Sequence, residues 1–173
     1  MESKDQQTFD FLLASLNTVE DSVKNYDIKS QIVGVGYIFA INVVFTLGAK
    51  IPGQVEMNFL TVALAWGVII LPVILFGTVL YPTRKFAPKI DNSLPSDDHL
   101  FYISSDEVKD VAEHLSRVQN SDLKLEMTYE ILKLSGLRDM KRRRFLRALF
   151  TAAFSFFALF LTHLLRSEDL FPF

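Results

Sequence analysis

Three long stretches of the chain contain no Asp, Glu, Lys or Arg residue, and polar segments separate them. They cover residues 31–49, 58–81 and 148–165, and the last includes a single histidine, His163. Each stretch is close to the roughly 20 residues that an α-helix needs to cross the hydrocarbon core of a bilayer. The pattern therefore predicts three transmembrane helices.

Two further segments have the apolar spacing of amphipathic helices. The second of these segments follows a proline-containing connection at 82–95 and a short apolar run at 99–103. Ser104 and Glu107 form a capping-box pattern, which predicts that its helix starts there. The apolar faces are Phe9, Leu12, Leu13, Leu16, Val19, Val23 and Tyr26 in the first segment, and Val108, Val111, Ala112, Leu115 and Val118 in the second. We expect the first face to pack on other helices or on another subunit.

A turn at Asn120-Ser121 leads to another helical pattern, with Leu123, Met127, Ile131 and Leu134 on one side. No proline occurs between Pro95 and Pro172, so this helix is expected to continue into the third span. If Gly136 does not interrupt it, residues 121–165 form one rod of about 67 Å. Such a rod would couple an event in the polar part of the chain to the membrane.

The predicted fold class is an all-α membrane protein with three transmembrane helices and a small helical cytoplasmic unit. The predicted segments are a cytoplasmic amphipathic helix at 1–30, transmembrane helices at 31–49, 58–81 and 148–165, a cytoplasmic helical region at 82–147 and a periplasmic tail at 166–173.

The basic residues predict the orientation. Of the 18 Lys and Arg residues, all except Lys50 and Arg166 lie in segments 1–30 and 82–147. The positive-inside rule therefore places the N-terminus and the long middle segment in the cytoplasm, and for a bacterium this means the inner membrane.

Several residues within the spans are unusual for a plain membrane anchor. Pro72 predicts a kink or a hinge in the second helix. Gly34 and Gly36 predict close packing of helices, and Asn42 predicts either a hydrogen bond between helices or a position along a pore.

Composition narrows the possible chemistry. With no cysteine, the chain has neither disulfides nor thiolate metal sites, and a net charge of −2 gives no reason to expect a nucleic-acid partner. The three histidines lack metalloprotease spacing, and no acid–base pair or nucleophile stands out. The sequence therefore predicts a protein that is not an enzyme and has neither a metal site nor a cofactor.

A basic cluster directly precedes the third span and consists of Arg138, Lys141, Arg142, Arg143, Arg144 and Arg147. Such a cluster is typical of membrane topology and of contact with anionic headgroups, but arginine also binds phosphate through paired donors. Phe101 and Tyr102 supply aromatic rings for stacking on a base. The candidate ligand-binding residues are Arg84, Lys85, Phe101, Tyr102, Arg138 and Arg142, although composition does not show that they converge.

The order of these features resembles the transmembrane effectors of the Pycsar antiphage systems, the pyrimidine cyclase systems for antiphage resistance. Asp27-Ile28-Lys29-Ser30 precedes the first span, Tyr81-Pro82 ends the second, Leu100-Phe101-Tyr102-Ile103 leads to a capped helical pair, and Lys141 to Arg144 opens the third span. The chain departs from the family pattern at Arg144-Phe145, where a Lys-Tyr pair is common.

The resemblance implies a bacterial inner-membrane effector that senses cyclic UMP or cyclic CMP made by a cognate pyrimidine cyclase. It then impairs the lipid bilayer, so that the infected cell dies before phage mature. No binding residues are carried over from the family.

Three helices with so few polar residues do not enclose a pore alone, so we expect a homo-oligomer. Two alternatives remain open at the level of the sequence. One is a membrane-anchored adaptor that binds a protein partner through its cytoplasmic helices, and the other is a similar effector that reads a cyclic oligonucleotide.

Overall fold

The computed structural model describes residues 4–48, 59–81 and 111–168 of the chain. Regular secondary structure within these residues is helical, without strands. The helices are, in chain order, α1 (Lys4–Gly48), α2 (Phe59–Leu80), α3 (Val111–Asn120) and α4 (Leu123–Glu168).

Three of these helices, α1, α2 and α4, are long and apolar enough to cross a membrane. This finding confirms the predicted all-α membrane fold. The second span, predicted at 58–81, corresponds to α2 within one residue at each end. This helix continues through Pro72, whose side chain is fully buried.

Helices α1 and α4 each join an amphipathic segment to an apolar span without interruption. They contain 45 and 46 residues, and neither contains a proline. The helix α4 continues through Gly136, a point that the sequence left open, and is about 69 Å long at 1.5 Å per residue. Its first turn is capped by Asp122, whose Oδ1 accepts hydrogen bonds from the N–H groups of Lys124 and Leu125.

The chain divides into two compact units. The first unit consists of Met1–Lys24 and Thr83–Asp139, and the second consists of Asn25–Pro82 and Met140–Phe173.

An apolar cluster between α1 and α4 forms the core of the first unit. Leu16 and Val23 of α1 pack with Leu134 and Leu137 of α4. This confirms that the apolar face of the N-terminal segment packs against another helix. At the exposed start of α1, Lys124 Nζ lies 2.7 Å from Asp5 Oδ1. The hydrogen bond and charge of Lys124 lower the pKa of the Asp5 carboxyl below its ordinary value.

The core of the second unit takes two buried residues from each of α1, α2 and α4: Tyr37 and Ile41, Ile69 and Phe76, and Ala148 and Ala152. A Cβ at Gly34 would lie 3.4 Å from Phe76 Cβ, so the glycine allows α1 and α2 to approach closely. A Cβ at Gly36 would meet nothing within 4 Å. The predicted close packing therefore occurs at Gly34 and not at Gly36.

The predicted apolar face of α3 is mostly exposed. The helix itself is present, but Val111 and Leu115 are 85% and 56% exposed. Its side chains are therefore available for contacts beyond the described residues of one chain.

The predicted connection at 82–95, the apolar run at 99–103 and the capping box at 104–107 lie outside the described residues.

Candidate functional site

Buried polar contacts connect the three helices of the second unit. Lys141 Nζ on α4 lies 2.5 Å from Asp27 Oδ1 on α1, with the two side chains 7% and 33% exposed. One turn further along α1, the hydroxyl of Ser30 donates to the carbonyl oxygen of Phe76 on α2. These contacts position the end of α2 against the basic segment of α4.

A second polar contact lies deeper in the same unit. The hydroxyl of Tyr37 lies 3.2 Å from the carbonyl oxygen of Ile69 and 2.8 Å from Ser155 Oγ. Ile69 is three residues before Pro72, whose ring removes one backbone donor from α2. The carbonyl that loses its helical donor is that of Val68, four residues before Pro72, and the Tyr37 hydroxyl donates to the neighbouring carbonyl of Ile69.

A cleft of about 450 Å³ opens where the C-terminal end of α2 faces α4. This volume is within the usual range for small-molecule sites. The lining residues are Ile74, Leu75, Gly77, Thr78 and Tyr81 from the α2 side, and Arg144 and Arg147 from α4.

Two arginines make the cleft attractive to an anion. Arg144 Nη1 donates to the carbonyl oxygen of Thr78 at 3.0 Å, where it balances the partial negative charge at the end of α2. The guanidinium has five N–H donors, so further donors are available. Arg147 is exposed, and no acidic side chain among the described residues pairs with it. Among the described residues, the positive charge of Arg147 in the cleft is therefore not balanced by an acidic side chain.

The remaining walls suit an aromatic or apolar group. Tyr81 follows α2 directly and is 62% exposed, which leaves its ring available for stacking. A Cβ at Gly77 would meet nothing within 4 Å, so this position leaves open space beside the ring. Ile74 and Leu75 supply an apolar wall. The combination of arginine, tyrosine and aliphatic side chains is able to hold a small planar anion.

The structure describes two of the six predicted ligand-binding residues, Arg138 and Arg142. Arg138 lies in the first unit and donates to the carboxylate of the adjacent Asp139. Arg142 lies in the second unit with an exposed side chain. Neither lines the cleft. Arg84, Lys85, Phe101 and Tyr102 lie outside the described residues, so their contribution stays a prediction.

The sequence argument selected neither Tyr81 nor the two arginines of the cleft as ligand residues. Arg144 and Arg147 are three residues apart and therefore share one face of α4. Helical spacing alone predicts that these two arginines lie together. The convergence of that face with Tyr81 depends on how α2 packs on α4, which helical spacing does not predict.

Glu130 is a buried acidic residue that the sequence argument also missed. Its side chain lies in the first unit and the residue is 3% exposed, with Oε2 3.9 Å from Lys133 Nζ and with no hydrogen-bond partner for Oε1 among the described residues. It is three residues after Met127 and four before Leu134, and both are buried. That spacing was the available signal for its burial.

Comparison with known proteins identifies a family. A family model described as the Pycsar effector protein domain matches residues 11–166, which include every described helix in whole or in large part. No curated protein and no solved structure matches the chain at a significant level.

Proposed function

The chain belongs to the Pycsar effector family, a family of antiphage-defence effectors, and we propose that it senses a cyclic pyrimidine mononucleotide and then impairs the membrane. The nucleotide, cyclic UMP or cyclic CMP, comes from a cognate pyrimidine cyclase. The outcome for the infected cell is abortive infection.

The cleft at the end of α2 is the observation that carries this proposal. A cyclic mononucleotide has one negative charge and one planar base. Arg147, which has no acidic partner among the described residues, and the free donors of Arg144 suit the phosphate. Tyr81 and the apolar wall of α2 suit the base and the ribose.

The position of the cleft along the chain agrees with a cytoplasmic signal. It lies where the apolar part of α2 ends and the basic segment of α4 gives way to an apolar segment. We propose that this end faces the cytoplasm of a bacterium, with the N-terminus on the same side of the inner membrane, because the basic residues concentrate there.

One chain buries too little of its apolar helices to form a membrane-impairing assembly by itself. In the most apolar 18-residue segment of α1, α2 and α4, only 17%, 22% and 17% of the segment, respectively, is buried within the chain. We therefore propose that the protein self-associates and that the ligand favours the associated state. A shift from 1% to 99% active protein takes about 5.5 kcal/mol of differential affinity, which several ligands per assembly can supply.

The proposal assigns no catalytic step to the protein, and neither a metal nor a cofactor has a role in it. The ligand acts by binding one arrangement of the helices more tightly than another.

The proposal is tested by equilibrium binding to the full chain in phosphatidylcholine nanodiscs, which lack anionic headgroups. We expect cyclic UMP or cyclic CMP to bind, and cyclic AMP, a cyclic dinucleotide and inorganic phosphate to compete weakly. Arg147→Met is expected to weaken binding about 10-fold or more, because it removes a charge-assisted contact to the phosphate. The control Arg143→Met removes an exposed arginine outside the cleft and is expected to change affinity less than 2-fold.

A second pair of variants tests the cleft by filling its open space with a larger side chain. Gly77→Leu fills the open space beside Tyr81 and is expected to block binding, whereas Gly67→Leu adds the same side chain at another open position of α2 outside the cleft. Because neither added Cβ meets a neighbour, both variants are expected to fold. Equal loss of binding in both would contradict the assignment of the cleft.

Several results would overturn the proposal. Absence of binding by either pyrimidine nucleotide at high micromolar concentration would exclude nucleotide sensing, and tighter binding of a cyclic oligonucleotide would change the ligand class. If Arg147→Met altered only the association with phosphatidylglycerol vesicles, the cleft would be a headgroup site instead.

Membrane impairment is tested separately by the potential across liposomes that contain the protein. We expect the nucleotide that binds the cleft to collapse a potassium diffusion potential, and Gly77→Leu to prevent the collapse. A potential that persists in wild-type liposomes despite bound nucleotide would separate sensing from membrane impairment and contradict the second step.

The adaptor function is a second candidate because α3 exposes Val111 and Leu115. An adaptor would bind a protein partner through this face and leave the membrane potential unchanged when a cyclase is co-expressed. Val111→Ser with Leu115→Ser would then abolish activity in cells without changing nucleotide binding.

A further inference from the structure

An exposed seam of α1 runs through the apolar part of the second unit. Its residues are spaced alternately by three and four positions, which is the heptad pattern of helices that pair along their length. The seam consists of Ile28, Gln31, Val35, Ile38, Asn42 and Phe45.

Each residue of the seam presents its side chain to the outside of the chain. Ile28, Val35 and Ile38 are 50%, 53% and 52% exposed, and Gln31 and Asn42 are also classed as exposed. The buried residues of this part of α1, including Tyr37 and Ile41, lie on another face of the helix.

Asn42 is the informative member of the seam. Its side-chain amide has two N–H donors and an accepting oxygen, and no described residue forms a hydrogen bond with it. The hydroxyl of Thr46 donates to the backbone oxygen of Asn42 and does not involve the side-chain amide. Lipid tails offer an amide no partner, so its outward position in an apolar span has a cost that another polar group would remove.

We propose that the seam is the surface through which α1 pairs with α1 of a second copy of this chain, with the Asn42 amides bonded to each other. Copies with the same orientation in the membrane place the same residue at the same depth. An asparagine amide is complementary to another one, because each both donates and accepts. A single asparagine in such a heptad pattern also sets the register of the pair.

This inference rests on the proposed self-association and gives it a location. The occupant is a second copy and not a different protein, since symmetry about the membrane normal brings Asn42 against Asn42 and Gln31 against Gln31. The two amides are eleven residues apart, which places them about 20° apart around the helix at the ideal 3.6 residues per turn. One parallel pairing therefore satisfies both.

The test uses the absence of native cysteine, and it is run both without nucleotide and with the nucleotide that binds the cleft, because the ligand is proposed to favour the associated state. Single thiols are introduced by Val35→Cys on the seam and by Val43→Cys, which is 57% exposed on the same helix but off the seam. In liposomes under mild oxidation, we expect Val35→Cys to form disulfide-linked dimers and Val43→Cys to form few. Equal cross-linking of the two thiols would overturn the seam.

The role of the amide is tested in the Val35→Cys background. We expect Asn42→Leu to weaken self-association about 3- to 30-fold by fluorescence energy transfer, in the range measured for polar contacts between membrane helices. The matched control Thr46→Val removes a hydroxyl that its own helix satisfies, and it is expected to have no effect. Asn42→Gln retains an amide and is expected to keep most of the association, which separates loss of pairing from loss of folding.

Three outcomes would contradict the proposal in distinguishable ways. Unchanged association of Asn42→Leu would remove the amide from the interface and leave the proposed function intact. Unchanged association with lost permeability would place Asn42 along an aqueous path. A wild-type chain that stays monomeric at high protein-to-lipid ratio with the nucleotide bound would exclude the seam and the self-association step together, while nucleotide binding is decided by its own assay.

Discussion

At the scale of single residues, the pair formed by Lys141 and Asp27 is more buried than the pair formed by Lys24 and Glu20. The Lys141 side chain is 7% exposed, whereas Lys24 and Glu20 form a pair whose side chains are 62% and 50% exposed. Exposed pairs contribute little because water screens them, but removing one partner of a buried pair leaves a charge without compensation. The Lys141 pair is therefore expected to stabilise the second unit specifically.

Replacing Lys141 by methionine is predicted to lower the free energy of unfolding by about 1–3 kcal/mol, because Asp27 keeps its charge in a partly buried position. The double variant with Asp27→Asn is expected to lose less than the sum of the single variants. Fluorescence of Trp66, the one tryptophan of the chain, during unfolding in detergent supplies the measurement. Lys24→Met is the control and is expected to change stability by less than about 0.5 kcal/mol; a similar loss in both variants would contradict the role of burial.

At the scale of helices, the approach of α1 to α2 depends on one of two neighbouring glycines. Gly34 faces Phe76 at van der Waals distance, while Gly36 faces open space. Both positions lie in α1 but have different surroundings. The same substitution at the two positions therefore separates the effect of packing on stability from the effect of helix propensity.

We predict that Gly34→Leu destabilises the second unit by about 1–3 kcal/mol, because its branched end has no room beside Phe76. Gly36→Leu is expected to be neutral or slightly stabilising, because leucine favours a helix more than glycine does. Thermal unfolding followed by circular dichroism distinguishes them. Gly34→Ala adds only the Cβ and is expected to cost less than Gly34→Leu, so equal effects of leucine at both positions would refute close packing at Gly34.

At the scale of the whole molecule, the distribution of basic residues makes a specific prediction of topology. The spans belong to α1, α2 and α4, and the basic residues concentrate in the segments at 1–30 and 82–147. With three spans among the described helices, we predict that residues 1–30 and the tail at 166–173 lie on opposite sides of the membrane.

The topology is checked with Gln54→Cys, Asn92→Cys and Leu170→Cys in a chain that has no other thiol. On intact spheroplasts, an impermeant maleimide is expected to label positions 54 and 170, and position 92 only after the membrane is opened. Labelling of position 92 alone on intact cells would mean the opposite orientation and would place the cleft on the outer face.

The sequence by itself determined the helices and their apolar segments. Runs without charge predict spans because a charged side chain in the bilayer has a high free-energy cost, and the spacing of Leu16, Val19 and Val23 predicts a buried face because a helix repeats every 3.6 residues. The absence of proline from 96–171 likewise allows a helix to continue into the third span, although the sequence left open whether Gly136 interrupts it. These are local properties, and the fold class followed from them.

Only the tertiary structure decided which polar residues act together. Of the basic cluster, Arg144 and Arg147 reach the cleft, whereas Arg138 pairs with Asp139 and Arg142 lies elsewhere on the surface. Asn42 is exposed, and the sequence had predicted either a hydrogen bond between helices or a position along a pore. The physical reason is that each outcome depends on the rotation of one helix against another. The packing of residues far apart in the chain determines this rotation, and the periodicity of a single helix does not.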